Sequence, residues 1–350
     1  MKLPTAKYPV GVDSKAEAIE SLLDMESNGV FMVGIHGLGG VGKTTLSMAV
    51  YNRVVDRFER SCFLENVREK SETNAGIIQL QETLLFKVLQ SRIVVNSVCE
   101  GIAMIEDRLC NKKVLLILDD VDQSEEIKNL LGCCNWFALG SRVIITTRNK
   151  QVLANLGKDA QISTYGVNKL TPCEARVLFN MHAFGKNEPK QEYSNLVEHI
   201  ISSADGLPLA LEIMGAELYG RTMQEWNSAL SKYERIPNKD IHKILQISYE
   251  GLDENEKDIF LDIACFFKGL DKNYVVDILN ACNFFPLFGI QKLVDKLLIT
   301  LCEYNALSMH DLVQQMGREI VRQESLQMLR RRSRLLCYED VLEVVTENMV

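Results

Sequence analysis

Long apolar runs are missing from this sequence. No stretch approaches the roughly 18 consecutive apolar residues that cross a bilayer as a helix, so a helical membrane span is not expected. The opening Met1-Lys2-Leu3-Pro4-Thr5-Ala6-Lys7 lacks the apolar core of a secretory signal. The ten cysteines include no Cys-x-x-Cys pair, and only Cys133 and Cys134 are neighbours. Zinc sites and thioredoxin-like redox chemistry thereby lose their usual framework, and buried, reduced thiols in a cytosolic protein are expected. Excess positive charge is lacking too. A formal net charge of −8 gives no general attraction to nucleic acid. The one basic run, Arg330-Arg331-Arg332-Ser333-Arg334, reads first as a solvated segment, or as one answering carboxylates such as Glu339 and Asp340. No internal repeat and no low-complexity segment occurs.

What remains is ordinary globular material: 350 residues, 47% hydrophobic and 25% charged, enough for two or three compact units. The first half alternates short apolar strands with helical patterns, the signature of a parallel sheet covered by helices. Strands are expected at 30–35, 62–64, 114–118, 142–147 and 161–164, with helices at 44–56, 76–90 and 102–109. The runs Val114-Leu115-Leu116-Ile117-Leu118 and Val143-Ile144-Ile145 suit strands buried on both faces. Beyond about residue 168 the strands nearly stop. Helices are expected at 172–183, 191–204, 208–219 and 224–233, the first opened by a capping box of Thr171 and Glu174. A break at Arg235-Ile236-Pro237-Asn238 introduces further helices at 240–249, 254–267, 273–280 and 286–298. A strand, turn and strand follow through residue 309, the pattern of a winged helix. The divisions are 1–168, 169–236 and 237–350.

Gly37-Leu38-Gly39-Gly40-Val41-Gly42-Lys43-Thr44 has P-loop spacing, between an expected strand and an expected helix. Glycines let successive N–H groups point at one anion, and the helix N-terminus adds its positive end. Lys43 can reach outer phosphates, and the Thr44 hydroxyl can hold Mg²⁺. Chance would supply such a pattern in on the order of one in a hundred chains of this size, so a ligand-free glycine turn is the weaker reading. Leu115-Leu116-Ile117-Leu118-Asp119-Asp120 is a Walker B pattern, delivering carboxylates to the sheet's carboxyl edge. Asp119 would bind Mg²⁺, and Asp120 could orient or deprotonate a water as the second catalytic carboxylate. Alone, the pair could equally cap the next helix. Arg148 ends another strand, where its guanidinium fork could sense a γ-phosphate or simply lie in solvent.

With those residues in place the chain closely resembles the NB-ARC module of plant immune receptors, signal-transducing P-loop ATPases related to the apoptotic protease-activating adaptors. Further motifs carry the resemblance: Phe63-Leu64-Glu65-Asn66-Val67-Arg68, Gly140-Ser141-Arg142 through Thr147-Arg148, Gly206-Leu207-Pro208-Leu209-Ala210-Leu211, Phe260-Leu261-Asp262-Ile263-Ala264-Cys265-Phe266-Phe267 and Met309-His310-Asp311. Asp122 stands where the coiled-coil subclass usually has Trp, so the chain looks like the TIR-carrying subclass. Arg334-Leu335-Leu336-Cys337-Tyr338 departs from the commoner Trp-containing form of that stretch.

The resemblance implies an α/β P-loop NTPase domain followed by a helical ARC1 domain and a winged-helix ARC2 domain. It implies ADP or ATP with Mg²⁺ as ligands, held by Val10, Val12, Gly37, Gly39, Gly40, Val41, Gly42, Lys43, Thr44, Thr45 and Arg148. Pro208 is implied on the adenine and ribose side, and His310 at the β-phosphate of ADP. From its residues alone, His310 reads as an ordinary capping or core histidine. Also implied are a closed ADP state, an open ATP state, slow hydrolysis, self-assembly when activated, and TIR and leucine-rich-repeat partners in cis, neither of which lies within these 350 residues. The expected place of work is the cytoplasm, or the nucleus as well. Two other readings stay open: an ATPase-linked winged-helix regulator bound to DNA, and a metabolic kinase, for which no acceptor pocket or lid motif is found.

Overall fold

The computed structural model describes residues 2–132, 136–157, 161–185, 191–235, 238–326, 328–336 and 338–347. The chain divides into two compact units, Met1–Asn168 and Lys169–Val350. The break expected at 235–238 falls partly on Ile236 and Pro237, outside the described residues.

In the first unit a five-stranded parallel sheet has the order β2-β3-β4-β1-β5. Its strands are β1 (Phe31–His36), β2 (Arg60–Leu64), β3 (Val114–Val121), β4 (Arg142–Thr147) and β5 (Ile162–Gly166). Around it run α1 (Val12–Leu22), α2 (Lys43–Val54), α3 (Val67–Lys70), α4 (Asn74–Leu89), α5 (Val98–Leu109), α6 (Ser124–Leu131) and α7 (Lys150–Leu156). The continuous apolar runs of β3 and β4 lie in the middle of the sheet, where both faces need cover. Leu116, Leu118, Val143 and Ile145 point into one cluster with Leu80, Leu84 and Ile105 of α4 and α5. Strand alternation sends Leu115, Ile117 and Ile144 to the other face, where α2 packs. Leu46, Val50 and Val54 of α2 are buried there, while Ala49, also expected to face the sheet, stays half-buried. Each buried aliphatic side chain contributes roughly 1.5–3 kcal/mol.

Of the charged side chains buried in this unit among the described residues, Arg142 is the most fully enclosed. Arg142, at the start of β4, is 1% exposed and forms no ion pair among the described residues, although the Asp24 charge acts on it. Its guanidinium donates instead to the carbonyls of Leu23 (2.5 Å), Asp24 (2.5 Å), Ser27 (2.7 Å), Gly29 (2.7 Å) and Ser141 (3.0 Å). It also lies 4.8 Å from the ring centre of Phe31. Those oxygens belong mostly to the connection between α1 and β1, so one buried cation ties down the main chain of a partly exposed turn that has no ladder of its own.

The second unit is helical: α8 (Pro172–Ala183), α9 (Ser194–Ala204), α10 (Pro208–Leu218), α11 (Met223–Arg235), α12 (Lys239–Glu250), α13 (Glu254–Asp262), α14 (Lys272–Ala281), α15 (Pro286–Asp295), α16 (Asp311–Glu324) and α17 (Tyr338–Glu347). The capping box of Thr171 and Glu174 forms as expected. Trp226 is the largest enclosed side chain, set among Phe179, Phe184 and Tyr193 with ring centres 4.9–5.9 Å away. The helix expected over 254–267 does not run straight through. After Asp262 it widens into a π-helical turn, Ile263–Phe267. There α16 comes so close that a Cβ on Gly317 would stand 2.6 Å from the Ala264 methyl. The hairpin pairs only β6 (Thr300–Leu301) with β7 (Leu307–Ser308), antiparallel. Tyr304 and Asn305 make its turn in left-handed conformations.

Two of the four arginines of the basic run, Arg332 and Arg334, are spent inside the second unit, while Arg330 and Arg331 are exposed. Arg334 is 9% exposed and grips Asp262 (2.5 Å) and Asp258 (3.1 Å). Arg332 donates to the Ser325 carbonyl (2.8 Å) and pairs with Asp340 (3.5 Å). One expectation fails. The described cysteines are free thiols, but only Cys62 is buried, and Cys99, Cys173, Cys282 and Cys302 are exposed. Cys133, Cys134 and Cys337 lie outside the described residues. No helix among the described residues is long and apolar enough to cross a membrane.

Candidate nucleotide site

The carboxyl ends of β1, β3 and β4 bring the site of the first unit together. After His36 the chain turns through Gly37–Gly42 into α2. Gly40 (φ 79°) and Gly42 (φ 97°) take left-handed conformations that L side chains rarely adopt. At Gly37 there is no room either, since a Cβ would stand 2.8 Å from Val41 Cγ1 and 3.2 Å from the Val167 carbonyl. The curl leaves the first N–H groups of α2 open at its N-terminus, where Gly42 offers no side-chain cap. Gly39 and Thr45 complete the loop and first turn.

Lys43 is buried, yet its ammonium touches no carboxylate. It donates to the loop's own carbonyls, Gly37 O at 2.8 Å and Leu38 O at 3.1 Å. Burial, joined by repulsion from Arg148, pulls its pKa down to about 7, against the attraction of Asp120 and Asp119. A lysine held so is a cation short of a counter-charge. Beside it the Thr44 hydroxyl donates to Asp119 (2.9 and 3.0 Å), which also accepts from Thr146 (2.6 Å). Burial raises the Asp119 pKa, against those two hydrogen bonds. Thr44 and Asp119 offer oxygen ligands only, the donor set of a hard cation such as Mg²⁺.

Asp120 takes a left-handed conformation (φ 60°) at the end of β3. Its Oδ1 accepts from Arg148 Nε (3.0 Å) and its Oδ2 from Arg68 Nε (3.2 Å). Burial alone would raise its pKa, but Arg148, Arg68 and Lys43 outweigh that and hold it below the usual carboxylate range. The structure thus brings Lys43, Thr44, Asp119, Asp120 and Arg148 together, and neither bland reading of them applies: the carboxylates cap no helix, and Arg148 is mostly covered. Arg68 and Thr146 also belong to the cluster. Both stand within motifs whose spacing alone gives them no chemical role. His36 is a further omission. Burial, with Lys150 and Lys43 nearby, pushes its pKa down to about 4.

Val10 and Val12 are half-buried at the start of α1, Val12 being its first residue and Gly11 its left-handed cap. The helix is held to α2 by Arg53, which pairs with Glu20 (2.8 Å) and Glu17 (3.3 Å).

Pro208 and His310 belong to the second unit. Pro208 opens α10, just after the left-handed pair Asp205 and Gly206. His310 caps α16: its Nδ1 accepts from Leu312 N–H (3.2 Å), which leaves Nε2 to donate to the Asp205 carbonyl (3.2 Å). The Asp205 carboxylate lies 3.4 Å from the same nitrogen and also pairs with Lys169. Burial lowers the His310 pKa against the attraction of Asp205. The capping role that His310's own residue type suggested is therefore present. Asp311 points elsewhere, to Lys268.

A parallel sheet with a glycine loop, a buried lysine and a Thr–Asp oxygen pair at its carboxyl rim defines a P-loop ATPase-type nucleotide-binding fold. Solved structures agree on the fold: a Walker-type ATPase of Pyrococcus abyssi superposes with a TM-score of 0.61 at 14% identity, covering 91% of this chain and 98% of that one. The ORC2 protein of Aeropyrum pernix, solved in ADPNP-ADP complexes, gives 0.54 at 13% identity, covering 91% and 96%. Such identities speak to fold alone. The NB-ARC domain family matches residues 12–189, and a second family, "Disease resistance protein Roq1-like, winged-helix domain", matches residues 253–325. The chain belongs to the NB-ARC family. It is 46% identical over 317 residues to the disease resistance protein RUN1 of Vitis rotundifolia, covering 90% of this chain and 23% of RUN1. It is 38% identical over 346 residues to the TMV resistance protein N of Nicotiana glutinosa, covering 97% and 29%. The chain thus spans less than a third of the length of these curated relatives.

Proposed function

We propose that this chain is the adenine-nucleotide switch of a plant immune receptor, working in the cytoplasm or nucleus, with an ADP-bound resting state and an ATP-bound active state that self-assembles. The observation that carries this reading is Lys43, a buried ammonium held only by loop carbonyls beside an open helix N-terminus. An anionic phosphate is the partner that such a group lacks. The loop N–H groups and Lys43 would receive the β-phosphate, and Thr44 and Asp119 would hold Mg²⁺, which when bound neutralises phosphate charge. Arg148 would read the terminal phosphate. Val10 and Val12 are assigned to adenine, and Pro208 and His310 carry the second unit's part in the switch. The His310 contact with Asp205 is the element such a switch would make or break. A ligand shifts such an equilibrium only by its differential affinity for the two states, ordinarily about 1–3 kcal/mol. TIR and leucine-rich-repeat segments are the proposed partners in cis.

Isothermal calorimetry with ADP, and with ATP and Mg²⁺, tests the reading. Uptake of either is expected. Folded protein that takes up neither overturns it. The nucleotide released on denaturation, identified by chromatography, names the resting state. No observation favours the DNA-binding alternative, since Arg332 and Arg334 are engaged within the second unit.

A further inference from the structure

Arg68 has no role in the reading above, yet it shares one carboxylate with Arg148. It stands on α3, reached through the left-handed Asn66 at the end of β2. From that side its Nε meets Oδ2 of Asp120 at 3.2 Å, while Arg148 Nε meets Oδ1 at 3.0 Å from β4. Two guanidinium groups from different elements therefore converge on a single small anion. The Asp120 carboxylate lies at the strand end that also carries Asp119, and so within the phosphate cluster. Around this rim Lys43, Arg68 and Arg148 outnumber Asp119 and Asp120 by one positive charge. The two terminal amino groups of Arg68 make no hydrogen bond among the described residues, although its side chain is only 26% exposed. Planar guanidinium forks match carboxylate and phosphate oxygens alike, and Arg68 can keep Asp120 on Nε while offering its free amino groups to a second anion.

We propose that Arg68 is a second reader of the terminal phosphate of a nucleoside triphosphate, forming with Arg148 a two-arginine clamp whose resting anion is Asp120. The inference rests on the nucleotide reading above and adds a residue to it. A diphosphate leaves the clamp on Asp120; a triphosphate shares it. Arg68 thereby contributes to the difference between the two ligands, which is the quantity a switch uses.

Calorimetry on the full chain with ADP and with a non-hydrolysable ATP analogue, each with Mg²⁺, tests this. Arg68→Gln is expected to weaken the analogue about tenfold while ADP stays within about twofold. Thermal melting without nucleotide checks that the variant is folded. Should it not fold, Arg68→Lys keeps the charge but loses the fork, and a several-fold fall in the analogue-to-ADP affinity ratio is expected. An unchanged ratio in the folded variant, or equal weakening of both ligands, overturns the proposal: Arg68 then only supports the loop. A parent chain that binds neither ligand removes the nucleotide reading itself, an outcome distinct from a parent that binds both with an unmoved ratio in the variant.

Discussion

The two units hold their polar groups in opposite ways. In the first, strands buried on both faces end at one rim, so Asp119, Asp120, Thr146 and Arg148 are delivered by backbone that cannot move without breaking the sheet. In the second, Lys169, Asp205 and His310 meet through a helix cap, a left-handed turn and two side-chain contacts. A rim built on a packed sheet suits a site that must stay preorganised. A contact built on caps, each worth about 1 kcal/mol, suits one that must let go. In the proposed switch the first would grip and the second release, and each half of that separation can be broken.

The largest effect belongs to the grip. Lys43→Ala is expected to weaken ADP by at least about a hundredfold in calorimetry, because the phosphate loses its ammonium partner. An unchanged affinity would end the site assignment. Next come the buried arginines. Arg142→Met removes five hydrogen bonds, leaves the Leu23 and Ser27 carbonyls without a donor while Asp24, Gly29 and Ser141 keep main-chain ones, and should cost the first unit roughly 2–4 kcal/mol in chemical denaturation. Arg334→Met strips two carboxylates of their partner and should cost the second unit roughly 2–4 kcal/mol. Should either variant melt like the parent, its hydrogen bonds are not holding that unit.

The release side predicts smaller changes. His310→Ala removes a cap and a bond to Asp205, about 1–2 kcal/mol, and should speed hydrogen exchange at the start of α16 more than elsewhere in the second unit. Uniform speeding would count against a local latch. Asp311→Val touches an exposed pair with Lys268 and should change stability by less than about 1 kcal/mol, since surface ion pairs are weak. Acid titration probes the first unit through His36. His36 in the folded chain has a pKa near 4 against an ordinary 6.5, so the unfolded chain takes up a proton first as pH falls. Stability from this group is complete above 6.5 and declines towards 4. His36→Gln should flatten that acid limb in melting curves of the first unit; an equally steep limb would assign it to other groups.

How far the sequence was legible follows the same division. The five strands fell within a few residues of expectation, because β3 and β4 are unbroken apolar runs and the P-loop fixes what precedes it. Helices α1, α3, α6 and α7 have no counterpart among the expected ones. In α6, Ser124-Glu125-Glu126-Ile127-Lys128-Asn129-Leu130-Leu131, a single buried side of Ile127, Leu130 and Leu131 over eight residues is too brief a pattern to separate from loop. α16 and α17 were likewise unmarked. The turn of 302–306 left only two-residue strands, because Tyr304 and Asn305 leave the extended region sooner than an alternating pattern suggests. At the site, Lys43, Thr44 and Asp119 were readable from spacing. Arg68 was not, since a guanidinium brought to Asp120 from 52 positions away leaves no local pattern. Nor was Arg142: its partners are main-chain oxygens, which every residue owns.

That last point bears on how this molecule tolerates change. Because Arg142 recognises carbonyls rather than side chains, its grip fixes the course of the loop and sets no letter at 24–28, where only the left-handed Asp24 and the Ser27 hydroxyl, which accepts from Gly29 N–H, make local demands. An insertion of one residue there should harm the protein more than replacing several side chains in the same stretch. A tether of this kind restrains length and leaves spelling alone.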